Sequence, residues 1–122
     1  MCKILLSINP EYVEKILNGN KKYEYRKVKC RQEVDKIIIY STYPIKKVVG
    51  EATVDKILED SPTRIWETTN KESGINIDFF EKYFKGRKTA VAYKLSNIKI
   101  YDKPKEIESY GLKVAPQSFV YV

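Results

Sequence analysis

The chain contains no histidine. That removes the side chain most often used as a general base, the usual Ser–His arrangements and most catalytic zinc sites. Two cysteines, Cys2 and Cys30, are too few for a disulfide scaffold or a four-ligand zinc site. Both are expected to be reduced and structural, which fits a cytoplasmic protein. Glycine and proline number only five each, so there is no linker or low-complexity tract, and residues 1–122 are expected to form one domain. No apolar run approaches the ~20 residues of a membrane span, and the opening MCKILLSI is too short for a secretory signal. Nothing calls for a metal or a cofactor. Any chemistry must run on Lys, Glu, Asp, Tyr, Ser, Thr or Cys.

Positive charge is what the chain has in excess. The net charge is +7, and residues 1–50 carry 11 Lys and Arg against 5 Asp and Glu. The densest run holds Lys21, Lys22, Arg26, Lys27, Lys29 and Arg31, interrupted by Glu24. A localised positive field favours polyanions, of which nucleic acid is the commonest inside cells.

The element pattern is mixed. Residues 3–8 read as a buried strand. Asn9 caps a short helix with Pro10 at its first position, and Gly19 closes it. Strands are expected over Lys22–Lys27, Val34–Tyr40 and Lys47–Ile57, the last with a bulge at Gly50. Ser61-Pro62 opens a helical insert over residues 61–85, whose second helix, Asp78–Phe84, carries Phe79, Phe80, Tyr83 and Phe84. Aromatics this dense are expected in the core. Thr89–Tyr101 reads as one long or two short strands, Asp102–Pro104 as a turn, and Ser118–Val122 as a last strand. Five to six strands with a helix after the first and a helical insert predict an α+β domain built on a small mixed β-barrel.

The segment Gly19-Asn20-Lys21-Lys22-Tyr23-Glu24-Tyr25-Arg26 is the strongest site candidate. Side chains alternate along a strand, so Lys22, Glu24 and Arg26 face one way and Tyr23 and Tyr25 the other. Lys21 joins Glu24 and Arg26 only if it lies in the turn before the strand. Arg26 can grip a phosphate or a base edge, and Lys21 can contact phosphate or, when desolvated, act as a base. Glu24 can orient Arg26 or accept an exocyclic amine. Glu24 in contact is also expected to hold Lys21 charged. The structural alternative is an edge strand protected by its charges. Ser41, Thr42 and Tyr43, at a strand end, offer hydroxyls and a stacking ring. Lys22, Lys27, Lys29 and Arg31 are expected to touch phosphates.

The spacing G-x-K-x-x-E-x-R resembles the hallmark of the ASCH domain family, relatives of the PUA RNA-binding domains. Leu5-Leu6-Ser7-Ile8-x-Pro10-Glu11-Tyr12, Tyr40-Ser41-Thr42-x-Pro44, Val48-Val49-Gly50-Glu51 and Ala115-Pro116-Gln117-Ser118-Phe119 are similar to small stand-alone members. The resemblance implies a PUA-like barrel with a cleft near Gly19–Arg26, to which Ser7, Gln117 and Ser118 also contribute. It implies an RNA- or modified-nucleotide-binding module linked to transcription or translation. One related group deacetylates N4-acetylcytidine with a lysine, a threonine and a glutamate. The lysine matches Lys21, but the threonine position is Glu24. A hydrolase of a modified nucleoside or of RNA, with Lys21 and Glu24 catalytic, therefore stays as the alternative.

Overall fold

The computed structural model describes residues 2–122; Met1, at the head of the opening segment, lies outside the described residues. Six strands form one sheet in the order β2-β5-β4-β3-β1-β6. They are β1 (Lys3–Ile8), β2 (Tyr23–Arg26), β3 (Lys36–Ser41), β4 (Lys47–Asp60), β5 (Ala90–Lys105) and β6 (Phe119–Tyr121). β1 and β3 run parallel, and every other pair is antiparallel. The sheet curls into a half-barrel, the α+β architecture expected of a PUA-like domain.

The curl follows from β4 and β5. They are long, and their register slips between Val48 and Gly50, Glu51 and Thr53, and Val54 and Lys56. Each slip bends a strand and adds twist. At the first slip a Cβ on Gly50 would sit 2.5 Å from the Lys99 carbonyl oxygen, so only glycine fits the close approach. The concave face is apolar: Ile4, Leu6 and Ile8 of β1 meet Ile37 and Ile39 of β3 and Val91, Tyr93 and Leu95 of β5. Each such aliphatic side chain, fully buried, contributes about 1.5–3 kcal/mol.

Helix α1 (Pro10–Leu17) closes this face with Val13 and Ile16. Asn9 caps it, accepting from the Glu11 amide at 3.0 Å. The insert supplies α2 (Pro62–Thr69), capped by Ser61, and α3 (Ile77–Tyr83), capped by Asn76. Both pack on the convex face over Tyr23, Tyr25, Ala90 and Ala92.

The expected turn at Asp102–Pro104 is not there: β5 continues to Lys105. β2 covers β5 only as far as Lys94, so the later half of β5 has one free edge where a proline is tolerated. Among the described residues no helix is long and apolar enough to cross a membrane.

Candidate functional site

Gly19 adopts φ +85° after α1 and turns the chain so that Lys21 lies just before β2. This is the position that convergence requires. Within β2, Glu24 and Arg26 pair with Tyr93 and Val91 and share their concave face, while Tyr23 and Tyr25 enter the convex cluster. Lys21, Glu24 and Arg26 line one cavity of about 130 Å³. Ser7, Tyr12 and Tyr25 add to its wall, and Ile75, Phe79 and Tyr83 complete it from the insert.

Arg26 is the hub. Its Nη2 lies 2.8 Å from Glu24 Oε2 and donates to the Ser7 carbonyl at 3.1 Å, tying β2 to β1. Its buried Nε has no hydrogen-bond partner. Lys21 is 3% exposed. Its Nζ donates to the Ser73 carbonyl at 2.8 Å and lies 4.8 Å from the Tyr25 ring centroid and 5.7 Å from that of Tyr12. Both rings present their negative faces to the ammonium.

Burial lowers the Lys21 pKa to about 8, with the nearby charges of Lys15 and Arg26 acting in the same direction and Glu24 opposing. Glu24 favours the charged amine but burial outweighs it, and with a pKa of about 8 the group is still largely protonated at neutral pH. Glu24, paired with Arg26, is the strongest of the nearby charges on Lys21, yet desolvation exceeds it and sets the direction. Burial also pushes Tyr25 up to about 12 while its hydroxyl bonds Thr69 Oγ1 at 2.7 Å.

The connection between α2 and α3 holds Lys21 in place. The Lys22 amide donates to the Glu72 carbonyl at 2.9 Å, and the two side chains pair at 3.2 Å. Lys15 Nζ donates to the Gly74 carbonyl at 2.9 Å, beside the Lys21–Ser73 bond. Gly74 itself has φ +70°, and a Cβ there would lie 2.5 Å from Lys21 Cβ. Gly74→Ala is expected to cost more than about 1–2 kcal/mol, since a left-handed backbone penalty and a collision add. Chemical denaturation measures it, and a loss below ~0.5 kcal/mol would show that the contact relaxes freely.

Other expected site residues lie elsewhere. Ser7 lines the cavity, but its hydroxyl donates to the Pro116 carbonyl at 2.6 Å. Gln117 and Ser118 are exposed and do not line it. Nor do Ser41, Thr42 and Tyr43: Ser41 is buried beside Ile8, which takes the lining place, and Tyr43 is exposed. Lys22, Lys27 and Lys29 stand outside on the surface, Lys22 paired with Glu72 and Lys27 over the Tyr83 ring at 4.9 Å.

Sequence reasoning missed Tyr12, Ile75, Phe79 and Tyr83 as wall residues. A signal existed for two of them. Helical spacing separates Phe80 and Phe84, which are core, from Phe79 and Tyr83, which face the cavity. Among the described residues no cluster of three His, Cys, Asp or Glu side chains is arranged to hold a metal ion.

Comparison with known proteins identifies the fold. The family model "Domain of unknown function (DUF365)" matches residues 1–120. The chain is 31% identical over 121 residues to an ATP synthase subunit alpha of Ureaplasma parvum, covering 98% of this chain and 15% of that protein. It is 28% identical over 92 residues to an ASCH domain-containing ribonuclease of Zymomonas mobilis, covering 75% of this chain and 62% of the relative. The chain thus spans less than two thirds of the length of either. The crystal structure of ASCH from Zymomonas mobilis superposes with a TM-score of 0.89 at 25% identity, over 98% of this chain and 87% of that one. A model match over almost the whole length and a shared fold at this level establish that the chain belongs to the DUF365 family and is an ASCH domain.

Proposed function

We propose that the chain binds RNA, and that the Lys21–Glu24–Arg26 cavity receives one nucleotide unit of it. The observation that carries this is the convergence of two cations and a carboxylate on one small, aromatic-walled cavity. Its volume suits one ring system or one phosphate and excludes a folded strand. Lys21 and Arg26 supply donors for a phosphate or a base edge, and Tyr12 and Tyr25 supply ring faces. The ribonuclease name of the Zymomonas mobilis relative supports RNA as the polyanion. Lys22, Lys27 and Lys29, exposed around the opening strand, extend the positive surface and add sequence-independent phosphate contacts.

Affinity for a single-stranded RNA, followed by fluorescence anisotropy, is expected to fall steeply with salt. Replacing Lys27 and Lys29 together by alanine is expected to reduce the slope of log K against log salt by about 1.4, or ~0.7 per contact. An affinity indifferent to salt would contradict the proposal.

A second function is favoured by one specific observation. A Lys21 amine titrating near 8 has a neutral fraction at ordinary pH and can accept a proton. In RNA cleavage by internal transesterification it would take the 2′-hydroxyl proton as that oxygen attacks phosphorus to form a 2′,3′-cyclic phosphate. The P–O5′ bond would then break, the proton would pass to the leaving 5′ oxygen, and Arg26 would steady the phosphate. Glu24, paired with Arg26 at the threonine position of the deacetylases, has no nucleophilic part in this scheme. Cleavage that rises through pH 8 and disappears in Lys21→Ala would establish it. Uncleaved RNA under all conditions would leave a binding module.

A further inference from the structure

Three aromatic rings run in a row along the wall of the cavity. Tyr12 of α1 meets Phe79 of α3 with centroids 5.4 Å apart, and Phe79 lies nearly parallel to Tyr83, at 8° and 6.3 Å. Phe79 is 41% exposed. A lysine stands over each end of the row: Lys15 Nζ lies 5.8 Å from the Tyr12 centroid and Lys27 Nζ 4.9 Å from that of Tyr83. Lys15 is held by the Gly74 carbonyl, whereas Lys27 is exposed. On the adjoining side of the same helix and its C-cap, Phe80 and Phe84 satisfy the core. The convex cluster therefore does not need Phe79, and an exposed phenyl ring forgoes burial energy at a place where a polar residue would be neutral.

We infer that this row is a second subsite, on which a base flanking the cavity nucleotide stacks, with Lys27 taking its phosphate. The inference rests on the RNA reading of the cavity and deepens it, because it names the substrate class as single-stranded RNA of at least two nucleotides. Stacking needs a free base face, which a duplex hides and a mononucleotide in the cavity does not extend outward. It is tolerant of sequence, because every base has a π-face. Phe79 is the stacking residue; Tyr12 meets its ring at a tilt and Tyr83 lies parallel but offset from it, and the ring stays 41% exposed. The charge of Lys27 lies beyond Tyr83, where the chain leaves the cavity along the end of β2.

The experiment compares a short oligouridylate, a blunt RNA duplex of equal length and uridine monophosphate, each titrated against the wild type, Phe79→Ala, Phe79→Trp and Lys21→Ala. Phe79→Ala is expected to weaken oligouridylate binding about tenfold or more and to weaken the mononucleotide, whose cavity wall Phe79 joins, by clearly less. Phe79→Trp, which keeps a ring, restores it. Duplex binding is expected to be weaker than that of the oligouridylate and equal in wild type and Phe79→Ala. Oligouridylate binding unchanged in Phe79→Ala but lost in Lys21→Ala overturns the stacking subsite and keeps the cavity. The reverse pattern keeps the subsite and overturns the cavity. Mononucleotide binding weakened as much as oligouridylate binding in Phe79→Ala overturns the division into two subsites, and a wild type that binds none of the three overturns both.

Discussion

Glu24→Ala is expected to destabilise the fold by about 3–5 kcal/mol, the cost of breaking a buried ion pair from one side. The Glu24 and Arg26 side chains are only 9% and 14% exposed. Without the carboxylate, the guanidinium keeps a single bond to the Ser7 carbonyl, and its Nε already lacks a partner. An uncompensated charge then remains at the mouth of the half-barrel, where Ile8, Val91 and Tyr93 offer it no solvation. Replacing both partners together by leucine is expected to restore much of the loss, because the penalty belongs to the orphaned charge and not to the missing contact. Urea denaturation distinguishes the cases through the midpoint at constant m-value. A single-variant loss under about 1 kcal/mol would show that the pair is effectively solvated.

Lys21→Ala is expected to act on binding and on folding in opposite ways. RNA affinity should fall by at least about 2 kcal/mol, or about thirtyfold, as when one partner of a desolvated charge contact is truncated. Folding should lose a pH dependence. The Lys21 pKa lies below the ordinary lysine value of 10.5, at about 8, so between these values the unfolded chain holds more protons than the folded one. Stability of the wild type, measured relative to Lys21→Ala, therefore rises across that interval, by about 3 kcal/mol in total. Below pH 8 the cost of burying the charged amine is fully present. A difference that is flat with pH would mean that Lys21 is not desolvated as its 3% exposure indicates.

The parts of this site carried by local spacing were legible in the sequence. Alternation along β2 predicts that Glu24 and Arg26 share a face, and the glycine turn allows Lys21 to join them. The helical insert was legible as well, through Ser61-Pro62 at its start and Gly74 between its helices. What could not be read was that the insert folds back on the motif. The partner of Lys21 is Ser73, 52 residues away, and no local pattern encodes that contact. The same blindness puts Phe79 in the core with Phe80 and Phe84, because helical spacing separates the two sides of α3 but does not tell which one meets the sheet. It also favoured Ser41 and Thr42. The parallel pairing of β1 with β3 sets Ser41 beside Ile8, and Ile8 lines the cavity instead. The direction in which Lys21 titrates depends on burial against the nearby charges, a balance that only three-dimensional placement decides.

The most direct test of the central claim, that the buried Lys21 ammonium grips RNA, is the affinity for a single-stranded oligonucleotide on both sides of pH 8, for the wild type and Lys21→Arg. Arginine stays charged throughout this range. The wild-type affinity is expected to drop as pH rises through a midpoint at or somewhat above 8, because bound phosphate favours the protonated amine, while Lys21→Arg shows no such drop. Parallel profiles for the two proteins, or a wild-type affinity unchanged on crossing pH 8, would contradict the account.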